Sequence, residues 1–138
     1  MNKQRVFDAI EAFNAGDLDG YVAGYAQDAI VHGLPAEFGN SPEGHRGFLT
    51  AMMSALSGLR IDTRTVVAEG DTVAVHLTYS GVHDGGLFLG VRPTGRQLRW
   101  PAMVFRRYDE AGRAVERWMI SDTAVLRHQL GIDQPAGE

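Results

Sequence analysis

Three side chains in the second half of the sequence are of types that move protons or hold charge: His83, Arg117 and Asp122. His32, in the first half, joins them. Asp122 closes an apolar run, V-E-R-W-M-I-S-D over residues 115–122, and precedes T-A-V-L-R-H-Q-L-G over residues 123–131. At the mouth of an apolar pocket, burial would raise its pKa and suit it to acid/base work. As the cap of a last helix it would instead accept N–H from Ala124 or Val125 and stay ionised. His83 sits where a strand leaves for a glycine-rich hairpin, on the inward parity. It is a general base, a donor to a substrate carbonyl, or a turn histidine bonded to its own loop. His32 ends the first strand beside a Gly/Pro loop and has the same range of readings. Arg117 shares parity with Met119 and Ser121. Facing inward, it would anchor a carboxylate or stabilise an enolate. Facing outward, it would pair with Glu116 or Glu69.

The other histidines carry less. His76 falls on the outward parity, and His45 and His128 lie on helices among polar neighbours, which places them at the surface. No two histidines are spaced i, i+2 or i, i+4, so no metal is expected, although His32, His76 and His83 could meet in space. The stretch G-V-R-P-T-G-R, residues 90–96, has no lysine after its glycines and opens no helix, which excludes a phosphate loop.

These residues need elements to position them. Val6, Ile10 and Phe13 form a helical stripe over residues 2–14. Asp17 can cap a second helix over residues 18–26, with Tyr21 and Tyr25 on one face. A short strand over residues 28–33 runs into an irregular loop over residues 34–44, rich in Gly and Pro. Ser41-Pro42 starts a third helix carrying Phe48, Leu49, Met52, Met53 and Leu56. Strands follow over residues 59–69 and 72–83, joined at Gly70-Asp71. In the second of these Val73, Val75, Leu77 and Tyr79 alternate on one face. Two more strands lie at residues 98–107 and 115–122, then a short helix; residues 133–138 read as a frayed tail. The order predicts a single α+β domain over residues 1–138. In it, a curved antiparallel or mixed sheet wraps over three N-terminal helices and forms a cone with an internal pocket.

Composition narrows the classes. At 138 residues with 44% hydrophobic and 22% charged content, the chain can bury a core as one soluble domain. A net charge of −4 provides no basic surface for nucleic acid. No apolar run is long enough to span a membrane. No signal-type stretch is present, so a cytoplasmic location is expected. The absence of cysteine removes thiol nucleophiles and thiolate metal sites.

Gly81-x-His83-x-Gly85, Gly90-x-x-Pro93-Thr94, Phe105-Arg106 and the closing residues 126–131 together resemble the SnoaL-like polyketide cyclases, of the nuclear transport factor two-like superfamily. The resemblance implies a cone that binds small organic substrates and closes a ring by an aldol reaction without cofactor or metal. It implies an acid/base aspartate on the last strand and a histidine on the neighbouring one. Spaced without gaps from Gly112 and Gly131, those positions fall on Met119 and Met103, and Asp122 is the nearest replacement. It also implies a homodimer through the outer side of the sheet, where Trp100 and Trp118 would then lie.

The expected function is cofactor-independent proton transfer or cyclisation on a small apolar or aromatic carbonyl-bearing metabolite. Asp122, His83 and His32 are the catalytic candidates. Phe48, Met52, Tyr79, Met103, Phe105, Arg117 and Met119 are the substrate-binding candidates. Hydration or epoxide opening on the same fold, and ligand binding without catalysis, are the alternatives.

Overall fold

The computed structural model describes residues 1–132; the tail expected over residues 133–138 lies outside the described residues. The chain runs α1 (Asn2–Asn14), α2 (Leu18–Ala23), β1 (Tyr25–Val31), a 3-10 turn (Ala36–Phe38) and α3 (Pro42–Ala55). It continues through β2 (Leu56–Glu69), β3 (Thr72–His83), β4 (Gln97–Tyr108), β5 (Ala114–Ser121) and α4 (Thr123–Gln129). The sheet order is β1-β5-β4-β3-β2. Only β1 runs parallel to its neighbour; the other pairs are antiparallel. The sheet is mixed and is not closed into a barrel.

Local chemistry explains the element starts. Asp17 Oδ1 accepts from Gly20 N at 2.9 Å, and Ser41 Oγ from Gly44 N at 3.0 Å, which satisfies donors that a helix start leaves orphaned. The second helix stops at Ala23, three residues earlier than its apolar pattern suggests. Tyr25 is therefore the first residue of a strand, not part of a helical face, and it is buried. The loop after β1 is not wholly irregular, since it holds the 3-10 turn.

The concave face carries the core. Phe13 of α1 meets the rings of Tyr21 and Tyr79 edge-on at 6.0 and 6.1 Å. Burying one such side chain contributes about 1.5–3 kcal/mol. Where α1 ends, Asn14 grips the outer edge of β2: its Nδ2 donates to Ile61 O at 2.9 Å and its Oδ1 accepts from Ile61 N at 2.7 Å. That closes an edge that would otherwise offer free ladder bonds. Gln129 does the same for β4 beyond the reach of β5, donating to Arg99 O and accepting from Arg99 N, each at 2.7 Å.

The inward parity of β4 is opposite to the one expected. Its buried residues are Leu98, Trp100, Ala102, Val104, Arg106 and Tyr108. The ladder sets Tyr79 opposite Trp100 and Val104 opposite Met119, while Met103 stands opposite Ile120 and His76. Met103 and Met119 therefore cannot share a face. Met103 and Phe105 lie on the outer face, 58% and 51% exposed, and are withdrawn from the pocket lining. Trp100 moves inside, 3% exposed; of the two tryptophans only Trp118 is outside. A one-residue slip in a strand exchanges its faces completely.

Candidate functional site

A cavity of about 250 Å³ opens between α3, the chain turn at Gly33 to Pro35, the inner face of β3–β5 and α4. Its position follows from close approaches of the backbone. Gly33 has φ +95°, and a Cβ there would lie 2.6 Å from Met119 O, so the chain can reverse against β5 only as glycine. The hairpin at residues 84–96 contributes Phe88 and Leu89; Leu89 has φ 50°, a strained setting for leucine. α3 supplies His45, Phe48, Leu49 and Met52, one stripe at helical spacing. Tyr79, Trp100, Arg117 and Met119 form the sheet wall, and Ser121, Thr123 and Leu126 the side toward α4. Of the expected binding residues, Phe48, Met52, Tyr79, Arg117 and Met119 are thus brought together. Among the described residues the lining has no carboxylate.

Two of its polar groups stand out, and both are buried. Arg117 is 2% exposed. Its Nη1 donates to His32 O at 3.0 Å and its Nη2 to Met119 Sδ at 3.1 Å, while its Nε has no partner among the described residues. Glu116 does not reach it, being engaged by His32 and Arg107 on the other face. A buried guanidinium with no carboxylate is costly and marks a place where a ligand can supply what the protein lacks. Tyr79, whose hydroxyl donates to the same sulfur at 3.4 Å, keeps its proton: burial pushes its pKa up to about 12 against the pull of Arg117.

His45 is the second. Expected at the surface, it is 1% exposed. Burial, then the charges of Arg117 and Arg106, hold its pKa well below the ordinary 6.5, so it is neutral. Its Nδ1 lies 3.0 Å from Tyr25 Oη, and Tyr25 Oη takes a donor bond from Arg106 Nη2 at 3.4 Å. Arg106 lies with its guanidinium carbon 5.1 and 4.8 Å from the ring centres of Tyr21 and Tyr25. Aromatic faces can hold a buried cation in this way. Sequence reasoning missed His45, Tyr25 and Arg106. One signal was available for His45: it precedes Leu49 by four residues and Met52 by seven, on the buried stripe of α3.

The three acid/base candidates do not converge on the cavity. Asp122 is exposed and caps α4, its Oδ1 accepting from Val125 N at 3.1 Å. His83 is fully buried in the hairpin and outside the lining; its Nε2 bonds Gly86 O at 2.9 Å and its Nδ1 lies 3.3 Å from Thr94 Oγ1. Its ring is spent on holding its own loop. His32 turns its ring outward, 2.7 Å from Glu116 Oε2 and stacked on Trp118 at 5.5 Å, and lends the site only its carbonyl. Among the described residues, no three His, Asp or Glu side chains are grouped to hold a metal.

The sequence profile of the SnoaL-like polyketide cyclases matches residues 4–130. The search of curated proteins returns no match. Among solved structures, IdmH of Streptomyces antibioticus, named as a candidate polyketide cyclase, is 30% identical with a TM-score of 0.82, over 96% of this chain and 99% of that one. TsrD of Streptomyces laurentii is 25% identical, TM-score 0.81, over 94% and 93% of the two chains. AclR of Streptomyces galilaeus, named as a candidate hydroxylase, is 24% identical, TM-score 0.82, over 94% and 95%, a likeness of fold alone. With the profile spanning most of its length, this chain belongs to the SnoaL-like polyketide cyclase family.

Proposed function

We propose that this chain is a cofactor-independent enzyme acting on an apolar, carbonyl-bearing metabolite by proton transfer or cyclisation. Arg117 and His45 hold the carbonyl oxygen as charge grows on it. The observation that carries this reading is the buried Arg117 in the wall of a cavity whose lining has no carboxylate among the described residues. A carbonyl compound that loses a proton from the adjacent carbon moves negative charge to oxygen. Donors fixed in a water-poor cavity stabilise that charge, and removing one such donor typically costs about 10²–10³ in rate. With no carboxylate in the lining, the proton passes to water or a buffer base admitted to the cavity, and catalysis rests on holding the oxygen: the better it is held, the weaker the base that suffices. Phe48, Met52, Trp100 and Met119 pack the apolar body of the ligand. The family supports the reaction class. The hydration reading needs a base to activate a water as well as a site for the oxygen, and has the least support.

Ligand binding without catalysis is the second reading, favoured by the same lack of a carboxylate. One experiment separates them. The probe is 1-phenyl-1,3-butanedione, with binding followed by calorimetry and exchange of its acidic C–H for deuterium followed by NMR. Exchange faster than the buffer rate, and slowed in Arg117→Met, supports the enzyme; binding without faster exchange supports the binding protein; no binding removes both for this ligand class. The exposed cluster of Met103, Phe105, Trp118 and Ile120 on the outer face supports a homodimer through that face. Light scattering that returns a monomer mass would rule it out.

A further inference from the structure

We infer that Arg106 and Tyr25 are positioning residues that lock neutral His45 with its proton on Nε2, so that His45 offers a hydrogen-bond donor to the cavity. The argument is one of donors and acceptors. A guanidinium has only donors. At 3.4 Å from Tyr25 Oη, Arg106 Nη2 must donate to it. Burial pushes the Tyr25 phenol well above its usual value, so Tyr25 keeps its own proton. With the oxygen receiving from Arg106, that proton is left to bond His45 Nδ1, 3.0 Å away. A neutral imidazole whose Nδ1 accepts carries its hydrogen on Nε2. This nitrogen has no protein partner among the described residues, and His45 is part of the cavity lining.

The groups around the ring oppose the alternative, an imidazolium. Tyr21 of α2 meets it edge-on at 5.3 Å, Tyr25 comes from β1, and the two nearby charges, Arg106 of β4 and Arg117 of β5, are both cations. Among the described residues no carboxylate on these elements pairs with them: Asp19 of α2 meets Arg46, and Glu116 of β5 binds His32 and Arg107 on the outer face. The buried Arg106 thus has a reason to be arginine, since only an obligate donor dictates which way the phenol points. Nothing in this chain of bonds depends on which reaction the cavity performs. It sets a rule for the ligand: the atom facing His45 is a lone-pair oxygen, as in a carbonyl, ether, carboxylate or enolate. A ligand that presents only N–H or ammonium there is rejected.

The test is a long-range nitrogen–proton correlation spectrum of the full chain with ¹⁵N-labelled histidine. The expected pattern for His45 is a pyridine-type Nδ1 and a protonated Nε2, still neutral when the pH is taken below about 6.5, the ordinary histidine value. A proton on Nδ1, or an imidazolium at neutral pH, overturns the inference. Arg106→Met frees the phenol, and a measurable Nδ1–H population should appear; Arg106→Lys, still an obligate donor, should restore the wild-type pattern. Tyr25→Phe should also lose it, which provides a second route if Arg106→Met does not fold. An unchanged pure Nε2–H pattern in either Arg106→Met or Tyr25→Phe would show that these residues do not set the tautomer.

Discussion

Glu116 and Arg117 are neighbours on β5 and face opposite sides of the sheet. On the outer face, charge is paired and wet: Glu116 meets His32 at 2.7 Å and Arg107 at 3.1 Å, and these bonds to His32 and Arg107 hold its pKa below the usual carboxylate range. On the inner face Arg117 and Arg106 are almost wholly buried, and neither appears in an ion pair among the described residues. Apolar side chains follow the reverse logic, with Trp100 in the wall of the cavity and Trp118 open to solvent. Charge on the outside is a surface property, worth little to stability. Charge on the inside opposes folding and persists only where something offsets it. On the proposed reading, the difference locates the chemistry at the cations that lack a carboxylate partner, not at the carboxylate that has its cations.

The contrast is sharpest for the two tryptophans. Trp100→Ala should destabilise the protein by about 3–5 kcal/mol in urea unfolding, the usual cost of emptying a large core site. Trp118→Ala should cost the monomer about 1 kcal/mol or less, as for other surface substitutions. Equal losses would mean that the outer face is itself a core, buried in an assembly. Next comes Arg117. Arg117→Met should weaken binding of a carbonyl or carboxylate probe by roughly ten- to a hundredfold, the range for hydrogen bonds to a charged group. It should leave stability unchanged or raise it, because a buried charge goes. Glu116→Gln, its outward neighbour, should change neither by more than about 0.5 kcal/mol. If both substitutions weaken the probe alike, the two faces are not independent.

The pH dependence is smaller but diagnostic. His45 has a folded pKa well below the unfolded 6.5, so the unfolded chain binds the proton more readily. The stability that neutral His45 contributes is complete above about pH 6.5 and is lost as pH falls toward the folded value, by up to about 1.4 kcal/mol per unit. Urea midpoints at pH 7.5 and 5.5 should therefore fall less in His45→Gln than in the wild type. The smallest effect concerns Asp122. Asp122→Ala should cost about 1 kcal/mol for a lost cap, and Asp122→Asn should restore most of it, since asparagine caps as well as aspartate. Loss of probe turnover in a folded Asp122→Asn protein would return the carboxylate to the mechanism.

Much of the scaffold was legible because local chemistry dictates it. Ser41 and Asp17 announce helix starts, Gly70-Asp71 a hairpin, and β3 alternates so plainly that its inner face could be read directly. β4 could not be read that way. It is apolar on both parities, with Leu98, Trp100, Ala102 and Val104 on one and Met103 and Phe105 on the other, so nothing in the strand itself says which is inside. The ladder to β3 and β5 decides it. The site was half legible for a related reason. Apolar lining residues fall on periodic stripes, whereas His45 and Arg106 are polar residues in core positions, and only the fold shows that Tyr25 and the tyrosine rings receive them.

The short last helix has a consequence for traffic. α4 has only seven residues, too few to persist as a helix on its own. It holds its place through the Asp122 cap, the Gln129 clamp and the burial of Leu126 and Leu130. Its first turns are also one side of the cavity. Opening that side does not require the sheet to bend; it requires a few bonds to let go together. If those bonds released together, the cavity would open by local melting of α4, and a ligand that favoured the closed state would hold the helix in place.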